Sequence, residues 1–136
     1  MPHQRFRPFK QILHHAGEDI ELELCMAVKA GNRIWIRGQT GLDFDGAFIG
    51  AGDPAAQADN AMRCTEILLR EAGAGLSDIV KTTVYLTDRA HRTPVYAVLA
   101  KWLRGVQPCQ TGLIVAGLAR EEMLMEIDVE AVIAAD

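Results

Sequence analysis

The sequence predicts an α+β fold, one mixed β-sheet with two helices packed on one face, in the order β-β-α-β-α-β-β. Three observations carry this reading. Segments rich in β-branched residues or alternating apolar with polar residues occur near both ends and in the middle of the chain. Two stretches between them repeat apolar residues at three- and four-residue steps. Turn residues punctuate the boundaries.

Residues 1 to about 20 are mixed and weakly periodic, and read as an N-terminal extension of a single domain spanning 1–136. Glu21 to Val28 reads as the first strand, with Leu22, Leu24, Met26 and Val28 alternating against Glu21, Glu23, Cys25 and Ala27. Gly31-Asn32 signals a turn, and Arg33 to Arg37 resumes the strand pattern through Ile34, Trp35 and Ile36, which makes a hairpin. A loop holding Gly41, Gly46, Gly50 and Gly52 leads to Asp53-Pro54, a capping residue followed by the residue suited to the first helical position. The helix should run to about Ala72, burying Ala58, Ala61, Met62, Thr65, Leu68 and Leu69, and end at Gly73.

Ile79 to Leu86 reads as a strand. A second helix begins at Thr93-Pro94, with Val95, Val98, Leu99, Trp102 and Leu103 on one face. Thr111 to Ala116 and Met125 to Ile133 complete the sheet, and this last pair has the spacing of a hairpin. Trp35 and Val84 are expected to be buried. Leu24, Trp35, Val84, Leu113 and Val115 are too many large apolar groups for two helices to cover. A second face in need of cover points to an oligomer.

Composition excludes several classes. The chain has 136 residues, about half of them apolar, and a net charge of -4. An acidic chain offers nucleic acid no general attraction, because non-specific binding rests on Lys and Arg neutralising phosphates. No stretch approaches the ~20 apolar residues that span a bilayer, and the start of the chain lacks the apolar core of a signal peptide, so the cytoplasm is the expected compartment. Cys25, Cys64 and Cys109 are scattered without a CxxC pair and are expected to be buried, inert thiols. His14 and His15 have no partners at zinc-like spacing, so no metal site is expected; no cofactor is expected either.

Four segments carry a resemblance. Ala30 to Gln39, with Gly31-Asn32 opening a strand and Gly38-Gln39 closing it, resembles a strand motif of the YjgF/RidA family. Ala56-Gln57, Asn60 and Glu71-Ala72-Gly73 resemble that family's first helix, and Leu76 to Asp88 its next strand. Pro108 to Leu118 followed by Met125 to Ala131 is similar to its terminal strands. The resemblance implies a chorismate-mutase-like fold and a homotrimer whose sheets form an inner barrel, with a pocket at each subunit interface.

In family members that hydrolyse reactive enamines or imines derived from amino acids, an arginine two residues after the proline of the penultimate strand binds the substrate carboxylate. A planar guanidinium suits that task because it donates two parallel charge-assisted bonds. Here Pro108 is followed by Cys109 and then Gln110, whose neutral amide holds a carboxylate less strongly. Gly112 stands where the family often has cysteine, Leu24 where it has a tyrosine, and Tyr96 where it has an asparagine. Glu126 matches the family's pocket glutamate and is the candidate catalytic group. Arg37, beside Gly38, occupies the place of a small hydroxyl residue, where it can act as a substitute anchor, pair with Glu126, or stand exposed like Arg33.

The resemblance therefore implies a trimer that binds a small carboxylate- or carbonyl-containing metabolite, with hydrolytic activity absent or altered. The alternative is an imine deaminase that uses Arg37. A ribonuclease reading is set aside, because the chain lacks the His or Lys acid-base pair which that cleavage needs.

Overall fold

The computed structural model describes residues 2–135. Its elements are β1 (Gln4–Phe6), β2 (Phe9–His15), β3 (Glu18–Leu24), β4 (Ala27–Ala30), β5 (Arg33–Gln39), α1 (Pro54–Glu71), β6 (Ile79–Leu86), α2 (Arg92–Trp102), β7 (Cys109–Ile114) and β8 (Met125–Val132). Six strands form one mixed sheet in the order β1-β4-β5-β8-β6-β7, and β2 and β3 form a separate antiparallel ribbon. The α+β class and the two helices over one sheet face are as the sequence predicts.

Local signals set the helices. Asp53 caps α1 by accepting a hydrogen bond from the Ala56 N–H at 3.1 Å, and Pro54 occupies the first turn. Gly73, at φ +83°, takes the left-handed conformation that ends the helix. The apolar stripes of α1 and α2 meet Ile34 and Ile36 of β5, Val84 of β6, and Ile127 and Val129 of β8 in one buried core. The Lys29 ammonium donates to the Ala72 carbonyl at 2.8 Å, where the negative end of α1 favours a cation.

The N-terminal residues correct the first expectation. Gln4–Phe6 and Phe9–His15 form strands, where the sequence predicts only a weakly periodic extension. The expected strand over Glu21 to Val28 divides after Leu24: its first half pairs with β2 in the ribbon, and its second half joins the main sheet between β1 and β5. With this change of partner, Ala27 faces the core opposite Ile36, and Val28 sits with Trp35 on the other face.

The last two strands are not a hairpin. β7 is parallel to β6 at the sheet edge, and β8 lies between β5 and β6, antiparallel to both. The edge strand begins at Cys109 rather than Thr111 and is exposed throughout, so Cys109 is an exposed thiol and not a buried one. Val84 is fully buried as expected, but Trp35 is 37% exposed in the single chain. It lies on the face away from the helices, where its indole N–H donates to Glu130 at 3.1 Å. No helix among the described residues is long and apolar enough to cross a membrane.

Candidate functional site

A bulge in β5 organises the site. Ile36 pairs with Val129 and Gln39 with Ile127, so Arg37 and Gly38 stand together opposite Asp128. Bulges re-aim side chains in this way and are common beside functional sites. Gly38 lies directly under Glu126, and a Cβ there would collide with the Glu126 carboxylate. Arg37, Gly38 and Glu126 line one cavity of about 270 Å³, together with Gln11 of the ribbon and Arg120 of the β7–β8 loop.

Buried polar groups of α1 hold the walls of this cavity. The Gln57 amide N–H₂ donates to the carbonyls of Gly50 at 2.9 Å and Glu122 at 3.0 Å, and its oxygen accepts from the Leu124 N–H at 2.9 Å. One fully buried side chain thus ties the loop before α1 and the approach to β8 to the helix. Asn60 donates to the carbonyls of Thr40 at 2.9 Å and Leu42 at 3.2 Å, which fixes the chain leaving the bulge. Four of these bonds satisfy backbone carbonyls and the fifth satisfies the Leu124 N–H, groups that would otherwise be costly to bury.

The electrostatics are asymmetric. Burial holds the Glu126 carboxyl above its ordinary pKa, Arg37 pulls it down, and Asp128 adds to the rise. Arg37 forms neither an ion pair nor a side-chain hydrogen bond among the described residues. Its guanidinium instead lies over the Phe9 ring, 5.1 Å from the centroid. Arg120 differs, because Glu122 neutralises it at 2.5 Å.

The remaining candidates lie elsewhere in the chain. Gln110 and Gly112 pair with Thr82 and Val84, whose side chains point into the helix-covered core, so both belong to the helix face of the sheet. Gln110 Oε1 accepts from the Thr82 hydroxyl at 3.0 Å, which leaves the amide N–H₂ to donate outward. The Tyr96 hydroxyl fills the space where a Cβ on Gly112 would stand. Tyr96, Pro108 and Gln110 line a second cavity of about 260 Å³. Leu24 lines a third, with Phe9 and Cys25. Within one chain the six ligand candidates and Glu126 therefore fall into three groups, and only Arg37 and Gly38 join Glu126.

The sequence reading missed Phe9 and Gln11, because it assigned no structure to their segment, and Arg120, because its loop has no periodicity. The buried amides of α1 do leave a sequence signal, since Gln57 and Asn60 place polar side chains beside a stripe that is apolar except for Thr65. No group of three or more His, Cys, Asp or Glu residues among the described residues could hold a metal ion.

The family model for Endoribonuclease L-PSP matches residues 4–133. The chain belongs to this family. A RutC family protein of Pyrococcus abyssi is 31% identical over 106 residues, covering 78% of this chain and 81% of that protein. The 2-iminobutanoate/2-iminopropanoate deaminase of Mus musculus is 29% identical, covering 78% and 76%. A solved structure from Mycobacterium tuberculosis, a member of the YjgF/YER057c/UK114 family, superposes with a TM-score of 0.72 at 32% identity, covering 81% of this chain and 86% of that one. The L-PSP family match and this superposition agree with the fold built above from the strands upward.

Proposed function

We propose that the chain assembles as a homotrimer and binds a small carboxylate- or carbonyl-containing metabolite in pockets between subunits, with hydrolytic activity absent or altered. The observation that carries the reading is the unpaired Arg37 guanidinium beside Glu126 and Gly38. Its N–H donors match a carboxylate, and among the described residues no carboxylate forms an ion pair with them. The Gln110 amide, with its oxygen held by Thr82, presents donors from the opposite sheet face. A contact between subunits would bring these two half-sites to one ligand, and would cover Trp35 and Leu113, which are 37% and 46% exposed in the single chain.

Titration with 2-oxobutanoate, followed by calorimetry, tests the ligand class. Binding that weakens in Arg37→Ser supports the reading, and no binding by the unaltered protein overturns it. Light scattering tests the assembly, where the expected mass is three times 14.9 kDa and a single subunit mass would refute it.

A second reading, imine deaminase, is favoured by one specific feature. Glu126 holds its proton to higher pH than an ordinary carboxyl and sits beside a cation. Such a group can pass a proton while water adds to C=N and the C–N bond breaks to release ammonia. Because Gln110 stands where active relatives have arginine, the main reading expects ammonia release from imines of ordinary amino acids to be at least about tenfold slower than in such relatives. A comparable rate would favour the second reading and assign the anchor to Arg37. The Gln110→Arg and Arg37→Ser pair should raise activity if Arg37 occupies the pocket, whereas an exposed Arg37 leaves Gln110→Arg effective alone.

A further inference from the structure

Five arginines lie over aromatic rings. Arg7 and Arg120 also have carboxylate partners, Glu71 and Glu122. Arg33 pairs with Val132 at the far end of β5, away from Glu126. Arg37 and Arg92 remain. Each lines a cavity, each is held on a ring, and neither has an ion-pair partner among the described residues.

The Arg92 guanidinium is 5.2 Å from the centroid of Tyr96, one turn along α2. With Arg89, Thr93 and Tyr96 it lines a cavity of about 580 Å³. Tyr96 also lines the cavity of Gln110, and its hydroxyl lies against Gly112. The ring is therefore a shared wall between the Gln110 donors and a guanidinium that no carboxylate among the described residues pairs with. Stacking restricts the side chain while leaving its N–H fork free, so little order remains to be imposed when an anion binds.

We propose that Arg92 binds a second acidic group of the same ligand, so that the pocket takes a small dicarboxylate in preference to a monocarboxylic acid. This rests on the reading that the Gln110 and Glu126 half-sites meet across a subunit boundary. Arg37 then holds one acid group beside Glu126, Gln110 donates between, and Arg92 holds the other.

The test compares two probes by calorimetry on the assembled protein, 2-oxobutanoate with one carboxylate and 2-oxoglutarate with two. The diacid should bind about tenfold more tightly or better, as one added charge-assisted contact allows. Arg92→Gln should bring the diacid to the level of the monoacid and leave the monoacid unchanged, and Arg92→Lys should restore part of the preference. Arg37→Ser should weaken both probes. Equal affinity for the two probes in the unaltered protein overturns the proposal, as does an Arg92→Gln effect that is absent or the same for both. In those cases a loss of monoacid binding in Arg37→Ser still supports the function proposed above. If neither probe binds the unaltered protein, both proposals fall.

Discussion

Val84→Ala probes whether β6 is the strand on which the core is built. The side chain is fully buried and stands between Ile127 of β8 and Gly112 of β7. Truncation removes two methyl-sized groups from contact, about 1.6 kcal/mol at ~0.8 kcal/mol each. The neighbourhood cannot collapse easily, because Gly112 has no side chain to move and the Tyr96 hydroxyl already fills the space beside it. An unrelaxed void adds to the transfer cost, so a total of about 2–3 kcal/mol is expected. Urea unfolding followed by circular dichroism should show the midpoint falling by about 1 M, given slopes of roughly 1–3 kcal/mol per molar for small proteins. Both proteins must be compared at one concentration, because the apparent stability of the proposed trimer would depend on it. A loss below about 0.5 kcal/mol, the range of ordinary surface substitutions, would refute the burial argument.

Other perturbations test the site. Burial raises the Glu126 pKa, so the folded chain keeps that proton to higher pH than the unfolded chain, and the group's contribution to stability falls as pH rises from the ordinary carboxylate range through its folded pKa. Glu126→Gln should remove that slope, gaining on the unaltered protein at neutral pH and matching it below about pH 4, as thermal unfolding across pH would show. Arg37→Ser should push the Glu126 pKa further up, since it removes the cation that lowers it; an unchanged carboxyl titration by carbon NMR would place Arg37 outside the site's field. Gly38→Ala should displace the Glu126 side chain, whose flexible end can move, so 2-oxobutanoate binding should be lost while the unfolding midpoint changes little. Retained binding would remove Gly38 from the site.

The helices and most strands were legible because their signals are local. Asp53, Pro54 and Gly73 state the ends of α1 through the capping bonds and backbone angles those residue types favour, and the stripe from Ala58 to Leu69 states its buried face. The Gly31-Asn32 turn likewise joins β4 to β5 as read. Within the site, Glu126, Arg37 and Gly38 were recognisable from motif position, and the structure brings them to one cavity.

Partner choice was not legible. The alternation from Leu22 to Val28 runs unbroken, yet the chain changes sheets after Leu24, and the core-facing residue becomes Ala27 because Ile36 stands opposite. A two-residue period describes a strand equally well in either sheet. The place of β8 between β5 and β6, the bulge that sets Arg37 beside Gly38, and the cover that Tyr96 gives Gly112 each depend on residues far apart in the chain. Periodicity and caps are properties of neighbours along the backbone. The sequence by itself therefore determined both helices, the strands from β5 onward and the candidacy of Glu126, Arg37 and Gly38, but not the N-terminal strands that bring Phe9 and Gln11 to the site. Which strand pairs with which, and therefore which of those groups share a cavity, is a property of packing, and only the tertiary structure decided it.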